Sequence, residues 1–138
     1  QWVANCHKIP QSQFTKQMAD ASEIEAEWTQ VLKLLIEQNP RIHIVISVSP
    51  VRYWRDGAHG NQLSKANLLL AAERLAKAFP QVHYFPAYEI MLDELRDYRF
   101  YASDMLHPSA VAVEYIVGKF QAMFLFSIVA MRTVNLYF

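Results

Sequence analysis

Arg41-Ile42-His43-Ile44-Val45-Ile46-Ser47-Val48-Ser49 decides the fold. β-Branched and apolar residues occupy both alternating sets of positions. A strand of that kind is covered on both faces, as in a parallel sheet held between helices. Pro40 stands just before the run and Pro50 just after it. Proline cannot continue a helix or a central ladder, so the pair brackets the strand. Upstream, Ser22-Glu23-Ile24-Glu25 has the form of a capping box, and Ile24, Trp28, Val31 and Leu35 recur on one helical face. The spacing predicts a helix over 22–38. Downstream, Leu63, Leu70 and Leu75, with Glu73, Arg74 and Lys77 as polar positions, predict a second helix over 61–78. Val82-His83-Tyr84-Phe85, between Pro80 and Pro86, reads as a second strand, and Gln1 to Ala4 as the tail of another. A third helix opens at Pro108, with Val111, Tyr115 and Phe120 directed inward. Strands alternating with helices define an α/β layered domain with a mainly parallel sheet. Three strands make a small sheet with exposed edges.

Composition narrows the function. At 138 residues and 53% apolar, the chain can bury one core and is not a disordered tail. Thirteen basic residues balance thirteen acidic ones, which excludes an electrostatic nucleic-acid binder. Cys6 is the sole cysteine, so no internal disulfide forms. The longest apolar run, 122–131, is interrupted by Ser127. It falls short of the roughly 18–20 residues that span a bilayer, so no membrane span is expected. The chain opens on Gln1-Trp2-Val3-Ala4-Asn5 without an initiator Met, the beginning expected of a piece of something longer. No leader pattern is visible, and the cytoplasm is the expected compartment. Residues 121–138 form an apolar tail without clean periodicity, readable as a helix extension or a terminal strand. Exposed, it would serve as an oligomer interface.

In open α/β sheets ligands bind beyond the carboxyl ends of the strands. That directs attention to Ser49-Pro50-Val51-Arg52, to Pro86-Ala87-Tyr88-Glu89, and above all to Tyr98-Arg99-Phe100-Tyr101-Ala102-Ser103-Asp104-Met105-Leu106-His107-Pro108. Pro108 pushes His107 toward extended backbone at a helix entrance. A carboxylate three residues earlier can hold one ring nitrogen and fix the tautomer, leaving the other free to take a proton. The helix N-terminus disfavours imidazolium there while Asp104 favours it. Alternatives stay open. Asp104 can cap the helix, His107 can be merely a polar neighbour, and a metal pair lacks an evident third ligand. His43 and His83 read as core or edge histidines, and His59, between Gly57 and Gly60, as a loop residue. Ser49 ends a strand, but Pro50 removes the N–H that an oxyanion hole would use, so a turn or a substrate-lining role fits it better. Cys6 and His7 are neighbours that point to opposite faces of an extended chain.

Four blocks then occur in order: Asn5-Cys6-His7-Lys8, Val48-Ser49-Pro50-Val51-Arg52, Tyr84-Phe85-Pro86-Ala87-Tyr88-Glu89-Ile90, and Arg99-Phe100-Tyr101 through Asp104-Met105-Leu106-His107-Pro108-Ser109. Together they resemble the GSCFA domain family, a bacterial group common in Bacteroidetes and related to the SGNH (GDSL-like) hydrolases, over about residues 2–120. The resemblance implies a three-layer, flavodoxin-like α/β fold in which Asp104 and His107 are the acid and base of a serine triad. It implies His7, Ser49, Arg52 and Tyr88 as lining residues, a small-molecule or carbohydrate ester as substrate, and neither metal nor organic cofactor. The family's nucleophilic serine lies in a Gly-Ser-Cys-Phe-Ala motif that this sequence does not contain. The expectation is therefore part of a serine esterase or acyl hydrolase, with N-terminal strands and nucleophile block missing and the chain alone inactive. The alternative is a non-catalytic, truncated module that self-associates through an open sheet edge or the apolar tail.

Overall fold

The computed structural model describes Pro10, Gln13 and residues 15–125. In chain order these form α1 (Ala21–Gln38), β1 (Ile44–Ser47), α2 (Gly57–Ala78), β2 (Val82–Phe85), the short α3 (Ala87–Glu89) and α4 (Ala110–Phe120). A π-helical turn extends α3 over Ile90–Glu94, and another extends α4 over Gln121–Leu125. The protein is α/β, and β1 and β2 pair in parallel from Ile44 opposite Val82 to Ser47 opposite Phe85. The strand candidate at 1–4 and the tail beyond 125 lie outside the described residues.

The ladder is shorter than the β-branched run. Pro80 and Pro86 bracket β2, so among the described residues β1 pairs with β2 over Ile44–Ser47, plus one bond from Ile44 N–H to the Gln81 carbonyl at 2.8 Å. Side chains alternate across the sheet. Ile44 and Ile46 pack with Leu32, Leu75, Val82 and Phe79 on the side of α1 and α2. On the other side Phe85 joins Ala87, Ile90, Met91, Leu95 and Ala112, with Phe120 and Phe124 against them. Coverage of β1 is less complete than its sequence predicts. The aromatic residues of α4 and its extension pack on Phe85 of β2, and Val45 of β1 remains 37% exposed.

The helix boundaries differ from the sequence reading for local reasons. Asp20, not Ser22, caps α1. Its carboxylate accepts the N–H groups of Ser22 and Glu23 at 2.7 and 2.9 Å, and the Glu23 carboxylate accepts the N–H of Asp20 at 2.9 Å. That reciprocal box forms two residues upstream because Glu23 stands three residues after an acceptor, and the Ser22 hydroxyl instead meets Arg74. Leu32 is the fully buried anchor of α1, whereas Trp28 on the expected face is 48% exposed. Gly57, at φ +67°, lets the chain turn directly into α2. The helix therefore starts four residues before Asn61, and His59 lies in its first turn rather than in a loop. Gly60 is required by crowding, because a Cβ there would stand 2.8 Å from that of Asp56.

The last helix starts at Ala110, not at Pro108. The Ser109 hydroxyl accepts the N–H of Ala112 at 3.3 Å, while Pro108 pairs with Tyr101 in an isolated antiparallel bridge. The inward stripe is accordingly Ala112, Ile116, Phe120 and Phe124. Of the three residues expected to face inward, Phe120 does so, while Val111 and Tyr115 lie exposed. Phe120 and Phe124 meet in a tilted contact at 5.1 Å between centroids, so the first part of the apolar tail extends the helix into the core.

Candidate active site

The loop before α4 folds back on itself. Ala102 N–H donates to the His107 carbonyl at 2.8 Å and Ser109 N–H to the Phe100 carbonyl at 2.7 Å, on either side of the Tyr101–Pro108 bridge. Met105 sits at the tip with φ +62°, a left-handed conformation that a side chain rarely adopts. It is closed by a 2.9 Å bond from Met105 N–H to the Ala102 carbonyl.

Asp104 serves both the loop and the imidazole. Its Oδ1 accepts the N–H groups of Leu106 and His107 at 2.9 and 3.0 Å, and its Oδ2 lies 2.6 Å from His107 Nδ1. The His107 N–H, then the Leu106 N–H, then the ring hold the Asp104 carboxyl at about 2, below its ordinary 3.8. With a proton on Nδ1, His107 Nε2 carries a lone pair and no hydrogen-bond partner among the described residues. The His107 side chain is 60% exposed. An imidazole oriented by a carboxylate, with its far nitrogen open to solvent, can take a proton from a nucleophile and return it to a leaving group.

Arg52 joins this loop to the end of β1. Its N–H donates to the Leu106 carbonyl at 3.1 Å and its Nη1 to the Met105 carbonyl at 3.3 Å. The guanidinium lies 3.9 Å from the Tyr101 ring centroid, a cation–π contact. Arg52, Trp54, Tyr98, Asp104, Met105 and Leu106 line an open cleft of about 440 Å³.

Ser49 and Tyr88 gather around a residue that the sequence reading passed over, Lys65. The Ser49 hydroxyl accepts the Val51 N–H at 3.2 Å, closing a turn, and its carbonyl accepts Lys65 Nζ at 2.6 Å. Tyr88 is buried, its hydroxyl donates to the Gln62 side-chain oxygen, and its ring lies 5.8 Å from Lys65 Nζ. Burial pushes the Tyr88 hydroxyl up and the Lys65 ammonium down. Asn61, one turn before Lys65 and equally buried, accepts the Tyr53 N–H at 2.9 Å. The signal was present: Asn61 and Lys65 stand four apart, so two polar side chains share a face of a helix whose other inward residues are apolar. Among the described residues, neither Ser49 nor Tyr88 hydrogen-bonds to Asp104 or His107, whereas Arg52 anchors their loop. His7 lies outside the described residues.

Parallel strands joined through a helix define an α/β protein, and an exposed carboxylate–imidazole pair stands on the loop entering α4. A model of the GSCFA family matches residues 1–120, and the chain belongs to that family. No curated protein and no solved structure matches it.

Proposed function

We propose that Asp104 and His107 are the orienting acid and the base of an SGNH-like serine ester hydrolase or acyltransferase, built on a three-layer, flavodoxin-like domain over residues 1–120. The observation that carries this reading is the 2.6 Å contact of Asp104 Oδ2 with His107 Nδ1, which leaves Nε2 open. In the reaction a serine hydroxyl gives its proton to Nε2 as its oxygen attacks the ester carbonyl. The imidazolium, stabilised by Asp104, then protonates the leaving alcohol. Water or an acceptor hydroxyl repeats the cycle on the acyl-enzyme. In this reading Arg52, which lines the cleft, holds the base's loop, Ser49 and Tyr88 contribute through the buried Lys65 rather than by lining the cleft, and the substrate is a small-molecule or carbohydrate ester.

The test places this segment in a polypeptide carrying a Gly-Ser-Cys-Phe-Ala block and measures p-nitrophenyl acetate turnover and fluorophosphonate labelling. His107→Ala is expected to lower kcat/KM by at least about a thousandfold. Undiminished turnover in that variant, or no labelling and no turnover across an ester panel, overturns the reading. A second reading, a self-associating α/β module without catalysis, is favoured by a different observation. Trp28, Val31, Leu34 and Leu35 of α1 and Val45 of β1 are exposed apolar side chains, and β1 has a partner strand on one edge only among the described residues.

A further inference from the structure

His43 and His83 meet at the other end of the sheet from Asp104 and His107. His43 stands one residue before β1 and His83 is the second residue of β2. His43 Nδ1 lies 3.0 Å from His83 Nε2, and the ring centroids stand 5.3 Å apart with an interplanar angle of 20°, so the two nitrogens face each other edge to edge. The strands fix this separation. Ile44 N–H donates to the Gln81 carbonyl, and the next pairs, Ile44 with Val82 and Val45 with His83, are in register. Phe124 closes one side of His83 at 6.4 Å, while His43 is exposed.

We propose that His43 and His83 form a two-ligand site for a divalent transition-metal ion, filled in the order Cu²⁺ above Ni²⁺ and Zn²⁺, with water completing the coordination. Two ring nitrogens each about 2.0–2.1 Å from one ion, at close to a right angle, stand about 3.0 Å apart. The pair already has that spacing without an ion. Neutral imidazoles suit these metals and not Mg²⁺ or Ca²⁺, and a right-angle pair suits the tetragonal geometry of Cu²⁺ and Ni²⁺. Before the ion enters, one facing nitrogen donates its proton to the other. On binding, the donor ring carries that proton on its outward nitrogen instead, so both facing lone pairs go to the metal and neither ring changes charge. Turning both rings out of this head-on contact, the exposed His43 and the half-buried His83 alike, directs the two lone pairs to a common point. No group of three or more His, Cys, Asp or Glu side chains forms a metal cage among the described residues, so the remaining positions belong to solvent. An ion held there staples the beginnings of two strands that otherwise share one short ladder, and an ion bound to the folded chain alone raises its stability. This site is independent of the ester-hydrolase reading.

The test is thermal unfolding of the full chain against rising Ni²⁺, Cu²⁺, Zn²⁺ and Mg²⁺. The midpoint is expected to climb saturably with the first three and not with Mg²⁺. The climb should vanish in His43→Gln and in His83→Gln and persist in His107→Gln and His59→Gln. The Cu²⁺ electron paramagnetic resonance spectrum should carry hyperfine lines from two imidazole nitrogens. No climb with any transition metal overturns the proposal, as does a climb that survives His43→Gln. Should His83→Gln fail to fold, His43→Gln, an exposed position, and the two-nitrogen spectrum decide the matter.

Discussion

At the residue scale, Asp104 shows how one carboxylate can shape a loop and orient an imidazole together. Its three acceptor contacts favour the charged form, so its carboxyl titrates at about 2 when folded against 3.8 as the reference. A group depressed by folding contributes stability that is complete above the unfolded value and is lost as pH falls through the folded one. Acidification from about 4 to 2 should therefore release the loop. The amide resonances of Leu106 and His107 are expected to shift together with a midpoint near 2, and in Asp104→Asn that shared titration should be absent. Separate midpoints for the two amides would refute the shared carboxylate. Much of this pair was legible beforehand, because Asp104, His107 and Pro108 are close in sequence and backbone rules act over that range. Arg52 was legible only as a residue beyond a strand end. Its grip on Met105, Leu106 and Tyr101 depends on how two distant loops meet, which no local rule specifies.

At the element scale, the helices were legible as elements and less so in phase. The stripe Ile24, Trp28, Val31 and Leu35 identifies α1, yet the deepest residue is Leu32, because the packing of α1 on α2 selects which side is covered. Likewise a two-residue change of start, from Pro108 to Ala110, accompanies an inward face of Ala112, Ile116 and Phe120. α2 hides its polar purpose among leucines. Lys65, 8% exposed, donates to the carbonyl of Ser49, two residues beyond β1, and so fixes where the loop bearing Arg52 begins. Burial lowers the pKa of Lys65 below 10.5. The unfolded chain then binds more protons than the folded one between the lowered value and 10.5, so the contribution of this group to stability rises with pH across that window. Urea unfolding from pH 8 to 10.5 should show the wild-type minus Lys65→Met difference in stability growing with pH. Lys65→Met should also cost about 1–3 kcal/mol at neutral pH by leaving the Ser49 carbonyl unpaired. A pH-independent difference would mean that Lys65 is not desolvated.

At the scale of the whole molecule, the described sheet is two strands wide and its two apolar clusters lie on opposite faces. Strand order and parallel pairing were legible because β-branched runs alternate with helical periodicity. The extent of the ladder was not, since Ile42, Val48 and their neighbours have strand character without a partner in β2. Exposed Trp28, Leu34 and Val45 make the second functional reading testable. If the chain self-associates through the exposed side of α1 or through the exposed β1, sedimentation velocity should show a concentration-dependent oligomer that Trp28→Glu or Val45→Lys, respectively, converts to monomer. Because both side chains are already wet, each change should alter stability by less than about 1 kcal/mol. A wild-type chain that stays monomeric at all concentrations would exclude self-association.

The hairpin-like closure of residues 101–108 bears on how the Asp104–His107 pair arises during folding. The contact joining carboxylate to imidazole spans three positions, whereas the Arg52 tie to Met105 spans fifty-three. Closing a very short loop is fast and entropically cheap, so the pair can assemble before the sheet does and persist through excursions that detach the Arg52 loop. The carboxylate–imidazole contact is thus closed within a few residues, while the surroundings that it meets are brought together by the rest of the domain.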